Sequence, residues 1–362
     1  MVKVTKNTTL ERVVTTVEAA DVIQLCEAGR YRAAERAIDG VTKTAPDGLL
    51  AHGMVAISRG DLETAKDYLT AVAFGATELA GRGKVQLAVA YWFGGEAQEA
   101  KDLLRAAGDS FEKFMLRAII ESEPPYRHSD ALKLLDKAAA FDVRPAMQAR
   151  MHNQRGMVLR KMKEFDRAFQ EYEAAIYFFE QDKSDCVPLV LNNLAGVYLD
   201  CEQFQRAHER VDKAISLLGD DLPHLGKAYD QKARIFVAEN NYADAKKCIE
   251  RAVSVLRVSD RREWLSEALL TKAKILKAVN ESYLAPLEEA ERVCGLIQRE
   301  DLLIDVYLMQ RDLAQLEFER SEKLLIQTAL RVFRGSARPA AKRLGITHPT
   351  ISKLAKKYGV KK

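Results

Sequence analysis

The side chains best placed to do chemistry lie near the C-terminus. The stretch "THPTISKLAKKYG" offers Thr347, His348, Thr350, Ser352, Lys353, Lys356 and Lys357, with Arg338 and Arg343 a few residues upstream. Ammonium and guanidinium groups neutralise phosphates, and hydroxyl and imidazole groups hydrogen-bond to base edges, so this set fits recognition of a nucleic acid. One helix can present most of it on one face. Ile351, Leu354, Ala355 and Tyr358 recur at intervals of three, four and seven, which turns them to a core and leaves the polar residues outside.

Two further helices must hold that one in place. "SEKLLIQTALRVF", from Ser321, is amphipathic through Leu324, Leu325, Thr328, Ala329 and Val332. "RGS" breaks it. "ARPAAKRL" comes next, with Ser336 as the expected N-cap and Pro339 tolerated in the first turn. Gly345 ends this second helix in the position where a left-handed residue is usual, and Thr347 caps the third. Two short helices joined by a tight glycine turn, the second basic outside and apolar inside, make the layout of a helix-turn-helix.

Residues 329–360, "ALRVFRGSARPAAKRLGITHPTISKLAKKYGV", resemble the C-terminal domain of the factor for inversion stimulation (Fis), also found at the end of many bacterial enhancer-binding activators. The shared frame is Ala329-Leu330, Arg334-Gly335, Ala340-Ala341, Leu344-Gly345-Ile346, Thr350, Lys353 and Lys356-Lys357-Tyr358-Gly359. The resemblance implies that Thr350, Lys353, Lys356 and Lys357 face double-stranded DNA from a recognition helix. Ser336 stands where the family commonly has Asn, Ser352 replaces a usual Arg or Tyr, and His348 with Pro349 replaces a variable pair, so base preference stays open. The ATPase module of enhancer-binding activators has no counterpart, which argues against ATP-driven remodelling of polymerase.

Charge is segregated in the same direction. From Ser321 onward there are eleven Lys and Arg against one acid, Glu322, which leaves 45 basic and 51 acidic residues before it. The formal net charge of +4 therefore conceals a mildly acidic body and a strongly basic end.

The body is repetitive. Gly156, Leu159, Ala168, Tyr172 and Ala175 set a frame that returns at Ala195, Tyr198, Ala207, Val211 and Ala214, and again at Ala233, Phe236, Ala245, Ile249 and Ala252. Weaker copies fall at Val22/Ala34/Ile38, Gly53/Ala65/Leu69, Ala88/Ala100/Leu104, Ile119/Ala131/Leu135 and Ala273/Ala285. Small residues at the first and twelfth positions let two antiparallel helices approach closely. "RGD" at 59–61, "CEQ" at 201–203 and "ENN" at 239–241 supply turns between them. The frame resembles the tetratricopeptide repeat (TPR), a helical hairpin of about 34 residues that stacks into a right-handed superhelix. The expected fold is all-α: a TPR-like solenoid of about eight units plus a small helix-turn-helix domain.

The expected divisions are an N-terminal sub-array over 1–122, a second over 123–299, a helix over 300–320 and the helix-turn-helix domain over 321–362. "ESEPPYRHSD" at 121–130 marks the first boundary. In the helix over 300–320, Leu302, Val306, Met309, Leu313 and Leu316 form a seam that either caps the solenoid or joins two copies.

A TPR array has a groove lined by the first helix of each hairpin. Arg150, Asn153, Met157, Arg160, Asn192, Asn193, Lys227, Asp230, Arg234, Lys274 and Lys277 fall on that side. Asn can hold an extended backbone through one donor and one acceptor, and Lys or Arg can take a carboxylate, so a protein or peptide partner is expected. Ordinary solvated helix polarity explains the same residues.

Enzyme signatures are missing. No G-x-x-x-x-G-K-[ST] occurs, since "GRGK" at 81–84 lacks its spacing, nor do H-E-x-x-H or G-x-S-x-G. Five widely spaced cysteines without a C-x-x-C pair fit reduced thiols, not disulfides or a metal site. No cofactor is expected. The longest apolar run, "LAVAYWF" at 87–93, is too short to cross a membrane, and "MVKVTKNTTLERVV" is no signal peptide. These features predict a cytoplasmic, nucleoid-associated transcription regulator, binding DNA as a homodimer or larger assembly because one such module makes few contacts. The competing reading is a TPR scaffold whose basic end docks a protein or anchors nonspecifically to nucleic acid.

Overall fold

The small-residue frame builds hairpins that stack in chain order. The computed structural model describes residues 17–123, 126–219, 221–259, 261–297, 299–313 and 318–360, so the N-terminal stretch weighed as a signal peptide lies outside the described residues. Eight hairpins come first: α1 (Ala19–Glu27) with α2 (Tyr31–Ala37), α3 (Pro46–Arg59) with α4 (Leu62–Ala73), α5 (Ala80–Phe93) with α6 (Ala97–Ala106), α7 (Phe111–Ser122) with α8 (His128–Ala139), α9 (Pro145–Lys161) with α10 (Phe165–Gln181), α11 (Val187–Asp200) with α12 (Phe204–Leu218), α13 (Leu222–Ala238) with α14 (Tyr242–Arg257), and α15 (Arg262–Ala278) with α16 (Leu284–Leu296). After them come α17 (Glu300–Leu313), α18 (Phe318–Val332), α19 (Ala337–Leu344) and α20 (His348–Lys357), and no strand occurs among the described residues.

The alanines at the twelfth position explain the packing. Ala34, Ala65, Ala100, Ala131, Ala168, Ala207 and Ala245 are all fully buried, each followed four residues later by a buried Ile, Leu, Tyr or Val. At Gly156 a Cβ would stand 2.9 Å from the Tyr172 ring, so only glycine lets α9 and α10 meet around that tyrosine. The turns carry left-handed residues at Gly60, Glu202 and Asn240, the middle of "RGD", "CEQ" and "ENN". Side-chain caps accompany them: Asp61 accepts from the Thr64 amide at 3.2 Å and Asn241 from the Asp244 amide at 3.3 Å.

Two expectations change. Ala285 is exposed, and the fully buried Leu287 takes the inward slot of the eighth hairpin. The turn between α15 and α16, with Asn280 left-handed at φ 58°, is two residues longer than the frame allows and advances the register. Residues 121–130 fall within the fourth hairpin, running from the end of α7 into the start of α8, because Ala118 of α7 and Ala131, Leu134 and Leu135 of α8 share one core. A boundary at 122/123 would cut that core.

The coil returns on itself. The α1–α2 turn seats against the α10–α11 turn, where the Asp185 amide donates to the Gly29 carbonyl at 3.1 Å. Gly29 has φ 67°, and a Cβ there would lie 2.5 Å from Ser184 Oγ. Arg144 and Arg150 reach across to the Gln24 and Cys26 carbonyls at 2.9 and 2.5 Å, and Arg261 reaches the Ser58 carbonyl at 3.1 Å. Gly29→Val combines a strained φ with a clash, so a loss of about 1–3 kcal/mol in urea unfolding is expected, with a larger radius of gyration in X-ray scattering as this contact opens.

All five cysteines carry free thiols. Burial pushes the Cys26 thiol up to about 12 and the Cys294 thiol to about 11. Unfolded thiols titrate near 9.0, so above that pH the unfolded chain releases protons that the native chain keeps. Stability should therefore fall as pH rises from 9 towards 12, and urea unfolding at several pH values should show a flatter decline in Cys26→Ala.

Candidate nucleic-acid interface

The helix-turn-helix grows directly out of the solenoid through one shared helix. One side of α17 places Leu302, Val306 and Met309 in the core with α15 and α16. The other places Ile304 and Tyr307 in the core with α18, α19 and α20. The Leu316 position and the Leu313 side chain lie outside the described residues. Helix α18 is therefore the partner of α17 in a ninth hairpin and the first helix of the terminal domain. Its burial is wider than an amphipathic stripe: Leu325, Ile326, Ala329 and Leu330 are buried, as is Phe333 just past its end, while Leu324 and Val332 are half-buried. A helix held between two neighbours hides more than one face.

Two turns set the angles of α19 and α20. Arg334 and Gly335 adopt φ 49° and 79°, a left-handed pair that reverses the chain between α18 and α19. Ser336 occupies the N-cap position of α19 with extended backbone, yet its hydroxyl makes no capping bond. Gly345, at φ 66°, ends α19. Thr347 caps α20, accepting from the Thr350 amide at 3.3 Å, and the Thr347 and Thr350 hydroxyls lie 2.8 Å apart.

On α20, Ile351 and Ala355 are buried against α18 and α19. At about 100° per residue, Thr350, Lys353, Lys356 and Lys357 fall within an arc of about 120° opposite Ile351. All four are exposed, as are Thr347, His348 and Arg338. Lys342, exposed in the last turn of α19, adds a cation to the set inferred from sequence. Lys357 donates to the Tyr358 hydroxyl at 2.8 Å, and that hydroxyl donates to Glu322 of α18, which fixes the end of α20.

Two candidates turn elsewhere. Arg343 donates to Asp305 of α17 at 2.7 Å, so it anchors the domain to the solenoid and does not join the outer face. Ser352 sits about 60° from Ala355 around the helix. Its hydroxyl is buried without a hydrogen-bond partner among the described residues and offers nothing to a base edge.

The inner face of the solenoid is also largely occupied. Arg150 donates to the Cys26 carbonyl and, at 2.8 Å, to the Tyr31 hydroxyl of the first hairpin. Asn193 donates to Asn153 at 2.9 Å, Arg160 pairs with Asp200 at 2.6 Å, and Arg234 with Asp230 at 3.0 Å. Lys227 pairs with Glu267 and Lys277 with Asp312. Burial works to raise the Glu267 carboxyl, but Lys227 and Arg234 outweigh it and hold it below the usual range. Of the cations expected to take a partner's carboxylate, only Lys274 stays exposed without an ion pair among the described residues.

The fold defines a tetratricopeptide-repeat solenoid with a C-terminal helix-turn-helix. Family models agree: a helix-turn-helix domain matches residues 317–361, and the tetratricopeptide repeat matches 149–182 and 226–255. No curated protein sequence matches significantly. Among solved structures, the chain is similar to a Rap protein complexed with competence and sporulation factor, at 12% identity and TM-score 0.56, covering 94% of this chain and 97% of that one. It is also similar to the human IFIT1 dimer with PPP-AAAA, at 16% identity and TM-score 0.52 over 80% and 70% of the two chains. Yeast Tom70 matches at 15% identity and TM-score 0.50 over 88% and 66%. These likenesses establish a repeat solenoid.

Phe333 is buried in the terminal core and approaches Tyr126 of the α7–α8 turn at 6.4 Å between ring centroids. Phe333→Ala should cost about 3–5 kcal/mol locally. Calorimetry is expected to show the terminal domain melting ahead of the solenoid in that variant.

Proposed function

We propose that the chain is a bacterial transcription regulator in which α20 enters the major groove of double-stranded DNA as a Fis-type recognition helix. The observation that carries this reading is the exposed arc of Thr350, Lys353, Lys356 and Lys357 on a helix whose opposite side buries Ile351 and Ala355. A merely solvated tail would have no such inner side. Lys342 and Arg338 extend the positive face along α19, and the domain concentrates basic charge that the body lacks. Binding, not catalysis, is its work, in the cytoplasm at the nucleoid. Since one module touches few phosphates and bases, two copies present two recognition helices about one helical turn apart.

The solenoid takes the part of sensor, for a protein or peptide on its inner face. The Rap protein of similar fold was solved with competence and sporulation factor, which supports a partner there. So do Asn192 Oδ1, Asp230 Oδ1 and Gln231 Nε2, buried polar atoms on α11 and α13 without hydrogen-bond partners among the described residues. Two main-chain amides and one carbonyl from an extended segment would match the two oxygens and the one nitrogen.

The test uses the full chain, because removing α18 would uncover Ile304 and Tyr307. Lys353→Gln/Lys356→Gln should weaken binding to mixed-sequence DNA in fluorescence anisotropy and reduce the salt slope by about 2. Thr350→Ala should chiefly relax sequence preference. Unchanged affinity and slope in the double variant would remove α20 as the reader and favour a protein-docking module.

A further inference from the structure

Cations gather at one other place, where the solenoid meets the terminal domain. Between α6, α7 and the α18–α19 turn lies a cavity of about 360 Å³ whose walls include Lys101, Arg105, Arg127, Arg334 and Glu121. An adjoining lobe of about 370 Å³ shares Lys101, Arg105 and Glu121 and adds Arg117. Glu121 is the only acid in either wall, and it already pairs with Arg127 at 3.3 Å. Arg105 reaches outward to Asp102 at 2.6 Å. The side chains of Lys101, Arg117 and Arg334 make no hydrogen bond or ion pair among the described residues.

This arrangement contrasts with the inner face, where the basic groups are nearly all matched by carboxylates or carbonyls. Converging unmatched cations repel one another, and Lys101, half-buried among exposed arginines, meets that repulsion with the least screening. Lys101 registers the conflict: burial first, then the neighbouring Arg334, Arg127 and Arg105 guanidiniums, hold its ammonium below the ordinary lysine range. A bound anion would remove the repulsion and meet planar N–H forks suited to phosphoryl oxygens. The volume falls within the range of small-ligand sites.

We infer that this cavity binds a compact polyanion of the pyrophosphate class, held by Lys101 and Arg127 of the solenoid and Arg334 of the terminal domain. With Arg105 drawn to Asp102, three cations against one carboxylate in the first lobe leave room for about two negative charges. Arg334 directly follows Phe333 of the terminal core and begins the left-handed pair that orients α19. The anion thus clamps the turn that aims α19 and α20. Any effect of the clamp on DNA affinity rests on the function proposed above, whereas anion binding does not.

Pyrophosphate is titrated into the full chain by calorimetry at constant ionic strength, with citrate and sulfate as competing probes. Saturable binding is expected, weakened on the order of tenfold in Lys101→Gln and in Arg334→Gln. Without anion, both variants should melt at or above the temperature of the unaltered chain, because each loses a repelled cation. Absent or unaltered binding would overturn the site, and lower melting temperatures would show that these cations serve the fold instead. Tighter citrate binding would overturn the phosphoryl assignment. If pyrophosphate fails to bind but Lys101→Gln reduces the salt slope of DNA binding, the cavity wall is a track for backbone phosphates and the inference falls.

Discussion

The close approach of paired helices through one small residue is the constraint on which the molecule depends. With alanine at the twelfth position, the two axes come near enough for the residue four further on to fill the space between successive hairpins. Seven fully buried alanines repeat this contact from α2 to α14, and the stacking direction accumulates into a coil. Because each hairpin touches chiefly its neighbours, small errors in angle would add along the array. The Gly29–Asp185 bond and the Arg150 and Arg261 contacts join hairpins far apart in sequence and bound that drift.

The same logic accounts for the terminal domain. A three-helix unit of about forty residues buries too little apolar surface to be very stable alone. Here α17 belongs to two cores, and its Ile304 and Tyr307 complete the terminal domain from outside. The Arg343–Asp305 pair then fixes α19 against α17. Orientation of the α20 outer face is therefore transmitted through packed side chains, not through a flexible tether.

The range of each interaction decides how much of it was legible in sequence. Hairpin positions were readable because small residues twelve apart act within one hairpin, and the Gly345 and Thr347 roles were readable because they are local. The α16 register was not, since a longer turn shifts Ala285 outward without altering the composition of the segment. Pro124 and Pro125 suggested a boundary, yet α7 and α8 on either side of them share one core. Arg343 and Ser352 were misplaced because the faces they meet are set by packing against α17 and the terminal core. The inner cations were misjudged because their carboxylates come from other repeats, as Asp200 does for Arg160 and Glu267 for Lys227.

Charge matching also explains why two cationic surfaces stand apart from the rest. A body with 45 basic and 51 acidic residues before Ser321 has ample carboxylate to satisfy its own cations, and along α9 to α17 it does so repeat by repeat. Gathering cations with few carboxylates around a half-buried lysine is unfavourable, and a counter-charge from outside the chain would relieve it. The outer arc of α20 is convex and solvated, which suits a long polyanion that approaches from bulk water. The Lys101–Arg334 cavity is recessed and spans two bodies, which suits a small one. Both surfaces draw on the terminal domain, one on the outer face of α20 and the other on the turn that aims that helix, so both rest on the same α18–α20 core.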